Sequence, residues 1–100
     1  MNNDSTYNNK ILDAIRKKYR ESCKKHSVAL RTAEEQTRRM HEERDNLTYK
    51  EFTDLSFSTK ELLSEVSRLS IEIMIWDQAR DICLDILSEE LENEEQRTDG

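Results

Sequence analysis

The sequence contains no proline, and its single glycine is Gly100. Tight hairpin turns and phosphate-cradling loops need backbone angles that these two residues supply, so hairpin-rich β folds and Gly-rich nucleotide sites are disfavoured. Two cysteines, Cys23 and Cys83, cannot build a disulfide framework. No apolar run approaches the ~20 residues of a membrane span. Met1-Asn2-Asn3-Asp4-Ser5 has neither the basic nor the apolar region of a secretory leader. The expectation is a chain that does not span a membrane, in a reducing compartment, cytoplasmic or nuclear.

What is present suits helices. Charged residues make up 38% of the chain, and Leu, Ile, Val and Phe total 21 of 100 residues. That is enough apolar surface for a thin helical seam but not for a thick core. Oligomerisation or a protein partner is expected to supply the missing burial.

The densest apolar stretch is Ser58–Leu91. Leu62, Val66, Leu69, Ile73 and Trp76 recur at steps of four, three, four and three, and Cys83 and Leu87 continue the seam past a polar step at Arg80. This is a heptad-like stripe awaiting cover. A second stripe, Ile71, Ile75, Ala79, Ile82 and Ile86, runs beside it, so one neighbouring helix cannot cover both. Alternating branched residues in Ile71–Trp76 also fit a strand. No Gly or Pro bounds that segment, however, and helical spacing continues on both sides.

The rest of the chain divides around this stretch. Residues 1–8 lack a pattern and are expected to be disordered. A long basic and polar helix is predicted over residues 9–46, with a seam of Leu12, Ile15, Tyr19, Ala29, Ala33, Met40 and Leu47 interrupted by Ser22, His26, Gln36 and Glu43. Residues 47–57 read as a junction with a short helix capped by Thr48 and Glu51, followed by a break near Asp54–Ser58. The main helix, capped by Ser58 and Glu61, covers 58–91, and 92–100 is an acidic tail expected to fray. Residues 1–45 carry 11 basic against 8 acidic residues, whereas 46–100 carry 5 against 14. Folding back at the junction would set the basic run Arg16, Lys17, Lys18, Arg20, Lys24 and Lys25 beside Asp81, Asp85, Glu89 and Glu90, favouring an antiparallel arrangement. The fold expected is all-α: an elongated antiparallel helical hairpin or short bundle, coiled-coil-like and oligomeric.

Signals for chemistry are sparse. Cys23 and His26 share a helical face, and His41 or Cys83 could be imagined beside them, but structural zinc sites pair ligands at short spacing from two segments. Asp77, Asp81 and Asp85 line one face, which more simply reads as a solvated surface. No nucleophile elbow, phosphate loop or HExxH pattern occurs, since His41-Glu42-Glu43-Arg44-Asp45 ends in Asp. The expectation is therefore no enzyme, no catalytic or metal residues and no cofactor. The working residues would be an interface of Leu62, Val66, Leu69, Ile71, Ile73, Ile75, Trp76, Ile82, Cys83, Ile86 and Leu87, with Trp76 as anchor. The basic run 15–25 is a candidate contact surface for phosphates, and nucleic acid is the competing partner class.

The segment Trp76-Asp77-Gln78-Ala79-Arg80-Asp81-Ile82-Cys83-Leu84-Asp85-Ile86-Leu87 resembles a helical pattern of the Swi5/Sae3 family of small recombination mediators. The resemblance covers these twelve positions, with Asp77 standing where the family has Asn. It implies a helical subunit that works with a coiled-coil partner on recombinase filaments.

Overall fold

A computed structural model describes the backbone of residues 3–98 and the side chains of residues 9–95. It shows two long helices packed antiparallel as a helical hairpin. Helix α1 runs Asn3–Glu42, a short 3-10 turn covers Arg44–Asn46, and helix α2 runs Tyr49–Thr98. The absence of internal Gly and Pro leaves nothing to break either helix. Ser and Thr, poor helix formers by themselves, turn their hydroxyls inward. Thr32, Thr37, Thr53, Ser67 and Ser70 each donate to the carbonyl four residues back.

The expected break near Asp54–Ser58 does not occur; α2 is continuous from Tyr49. The Thr48 hydroxyl accepts the Glu51 N–H at 3.1 Å and starts the helix there. Ser58 is an interior, half-buried residue rather than a cap. A break would also pull Leu55 and buried Thr59 off the seam they share with α1. The other boundaries move as well. Helix α1 is already formed at Asn3, six residues before the expected start, and closes at Glu42. The acidic segment is helical to Thr98. Of the N-terminal stretch expected to be disordered, residues 1 and 2 lie outside the described residues.

Contacts divide the chain into two units. One joins 22–42 of α1 through the turn to 49–72 of α2; the other joins the start of α1, up to Glu21, to α2 from Ile73 onward. In both, the seams alternate steps of three and four. With heptad positions lettered abcdefg, Leu12 and Tyr19 of α1 and Thr59, Ile73 and Arg80 of α2 stand at a. Every described a and d residue from Leu12 to Leu47, and from Phe52 to Glu90, is buried or half-buried.

The turn-side unit (22–72) has a seam of small and polar residues. Ser22, Ala29, Ala33, Thr59 and Leu69 are buried. Thr59 donates to Gln36 Oε1 at 2.9 Å, and Ser56 donates to Met40 Sδ at 3.4 Å. His26 Nε2 lies 3.1 Å from Ser70 Oγ. Because the Ser70 hydroxyl gives its only hydrogen to Val66, it must accept here, which places the proton on Nε2 of His26. As 26, 36 and 40 rise along α1, their partners 70, 59 and 56 fall along α2, as an antiparallel pair requires.

The other unit (up to 21, and from 73) has a bulkier seam of Leu12, Ile15 and Tyr19 with Ile73, Trp76, Cys83 and Leu87. Arg80, the polar step in the α2 seam, stacks over the Tyr19 ring at 5.3 Å from its centroid. Its guanidinium also pairs with Asp77 and, at 3.7 Å, with Asp81.

The candidate interaction surface

A helix in a two-helix pair can bury one stripe; whatever lies outside that stripe faces outward. Of the interface residues expected from sequence, Leu62, Val66, Leu69, Ile73, Trp76, Cys83 and Leu87 occupy the seam and meet α1 within the same chain. Leu69 is 1% exposed. The second stripe is left outside: Ile75, Ile82 and Ile86 are 55%, 60% and 46% exposed, and in the turn-side unit Ile71 is also exposed. Trp76, read as an interface anchor, is a half-buried seam residue. Among the described residues its indole N–H is buried without a hydrogen-bond acceptor.

Which flank carries the exposed residues follows from the seam. In the turn-side unit the a residues His26 and Met40 reach the e residues Ser70 and Ser56, so the e flanks of both helices share one side. The g flanks share the other. A groove of about 360 Å³ on that side is lined by Lys25, Thr32 and Glu65, all at g, together with Lys24, Val28, Ala29 and Leu62. In the other unit the a residues Tyr19 and Arg80 meet, which fixes the same handedness there. Its g side gathers Ile75, Ala79, Ile82 and Ile86 from α2 with Ile11 and Ala14 from α1. Sequence reading missed Ile11 and Ala14. The signal was present as the spacing 11, 14, 18 along α1, one step from the seam.

The basic run does not sit as its charge suggested. Arg16, Lys17, Lys18, Arg20, Lys24 and Lys25 are all exposed. Among the described residues, the only ion pair these six make is local, Lys18 to Glu21 at 3.9 Å. Among the described residues these six make no ion pair with Asp81, Asp85 or Glu89, although charge suggested one; in the turn-side unit the polar seam contacts join the two helices. Elsewhere, charges pair along single helices, as where Arg38 binds Glu35 and, at 2.5 Å, Glu42. The Arg38 hydrogen bond and charge hold Glu35 below the usual carboxylate range, and the two glutamates raise Arg38.

Cys23 and Cys83 are not joined in a disulfide, and Asp77 and Asp81 are engaged by Arg80. Among the described residues, no three His, Cys, Asp or Glu side chains are grouped to hold a metal, and no helix is long and apolar enough to cross a membrane. The fold and surface thus define a helical hairpin with exposed branched apolar residues along the g side of α2. No family model matches this chain, and no curated protein or solved structure shows significant similarity to it.

Proposed function

We propose that this chain is a non-catalytic, coiled-coil-like helical interaction subunit that docks a protein partner by helix-on-helix packing along the g flank of α2. The observation that carries it is the contrast on one helix: the α2 seam is covered within the chain, while Ile75 and Ile82 stay more than half exposed. Branched apolar residues repeated at helical spacing on an outer face lose hydration only when another helix lies on them. A sequence with two cysteines and no disulfide framework supports a reducing setting, cytoplasm or nucleus. A photo-crosslinking residue at Ile82, compared with one at Leu63 on the e flank, tests the role in cells that make the protein. Protein adducts at Ile82 well in excess of those at Leu63 are expected; equal yields, or none, would remove the assignment.

A second reading rests on the exposed basic run. Six exposed cations, with a single local ion pair among the described residues, can contact phosphates, as a nucleic-acid-associated subunit of the Swi5/Sae3 kind would. Its mark would be affinity for DNA or RNA that falls steeply between low and moderate salt. Binding that is insensitive to salt would dismiss it.

A further inference from the structure

The occupant of this flank can be specified from charge, on the footing that the flank is a docking surface at all. In the unit formed by the start of α1 and α2 from Ile73, the apolar strip of Ile11, Ala14, Ile75, Ala79, Ile82 and Ile86 has edges of opposite sign. On the α1 edge stand exposed Lys10, Lys17 and Lys18. On the α2 edge stand exposed Asp85, Glu89 and Glu92. Among the described residues, the one acid on the α1 edge, Glu21, is already paired with Lys18. A face that is apolar in the middle, basic along one helix and acidic along the other is complementary to itself.

We infer that the g flank binds a second copy of this chain, related by a two-fold axis parallel to the helices, to make a four-helix bundle. Two face-to-face arrangements have two-fold symmetry. With the axis parallel to the helices, α1 of one copy lies antiparallel on α2 of the other at the same level. With the register that sets Tyr19 against Arg80, Lys10 then stands level with Glu89, and Lys17 and Lys18 stand about one turn from Asp85, twice over. With the axis across the helices, α1 would lie on α1 and α2 on α2, setting base against base and acid against acid. The isoleucines supply affinity by leaving water. The exposed charges select the arrangement, since such pairs orient more than they stabilise.

The test is the solution mass of the purified chain by light scattering over a concentration series, with circular dichroism to confirm the helices. The wild-type chain is expected to dimerise. Ile82→Glu, at an exposed position, should keep the helices and weaken dimerisation at least tenfold. Two charge reversals decide the arrangement. Lys17→Glu/Lys18→Glu makes both edges acidic, and Asp85→Lys/Glu89→Lys makes both basic, so each variant alone should be more monomeric than wild type. Mixed in equal amounts they should form a heterodimer. A wild-type monomer throughout the series overturns the second copy as occupant, while the Ile82 adducts, judged separately, still decide whether the flank docks a different protein. A dimer indifferent to Ile82→Glu, or to either reversal alone, also overturns it.

Discussion

The turn-side unit and the unit at the far ends of the helices are made from the same two helices, yet they satisfy themselves differently. In the turn-side unit small and polar residues fill the seam: Ala29, Ala33 and Thr59 are buried, and Gln36, His26 and Met40 each find a hydroxyl on the facing helix. Its surface charges are netted locally, Arg38 between Glu35 and Glu42, Arg39 on Glu43. In the other unit the seam is larger and more apolar, Arg16, Lys17, Lys18 and Arg20 make one ion pair among the described residues, and four isoleucines remain outside. Polar seam bonds fix register and orientation at modest net gain. An uncovered apolar flank adds little to the hairpin's own stability, and on the proposed function it is the part that docks a partner.

That contrast can be broken most strongly at Leu69. It is fully buried in the turn-side seam, so Leu69→Ala should cost roughly 2–5 kcal/mol by lost transfer energy and cavity formation. The same methylene loss at Ile75→Ala, more than half exposed, should cost the isolated hairpin far less. Urea melts read by circular dichroism at low protein concentration compare the two. Equal losses would mean that Ile75 is covered within the chain.

A smaller effect separates polar alignment from apolar burial. Gln36→Leu leaves the buried Thr59 hydroxyl without its acceptor and should destabilise by about 1–3 kcal/mol. Adding Thr59→Val removes the stranded hydroxyl and should recover most of that loss in the same melts. Failure of the second change to rescue the first would show that the Gln36–Thr59 bond is not what Thr59 depends on.

How much of this was legible in the sequence depends on the scale of the signal. The helical class and the two stripes were legible because steps of three and four recur along each helix with no Gly or Pro to break them. The exposed second stripe was legible for the same reason: two adjacent stripes cannot both meet one neighbour. The break near Asp54–Ser58 was misread because Ser58 and Glu61 make a good capping box locally, while the seam contacts of Leu55 and Thr59 that hold the helix straight through it come from α1, outside any local window. Charge misled in another way. Opposite net charge in the two halves describes average proximity, but long side chains at outer positions reach solvent or a neighbour one turn away before they reach the other helix. Ile11 and Ala14 were overlooked because each is a single apolar residue in a basic stretch. Only the flank they share with α2 gives them a context.

The local ion pairs give the smallest and most specific expectation. Glu35 is held below the usual carboxylate range chiefly by its hydrogen bond from Arg38. A carboxylate whose folded value is depressed contributes stability above its unfolded value, and that contribution is lost as pH falls through the folded one. Acidification below the ordinary carboxylate range should therefore lower the melting temperature of wild type slightly more than that of Glu35→Gln, which has no such proton to take up. At neutral pH the two should nearly coincide, since exposed helix pairs contribute little and salt screens them. Parallel thermal melts at neutral and acidic pH read this difference directly. If Glu35→Gln lost as much on acidification as wild type, the acid sensitivity of the turn-side unit would have to come from other carboxylates, and local pairing would not be what settles its charges.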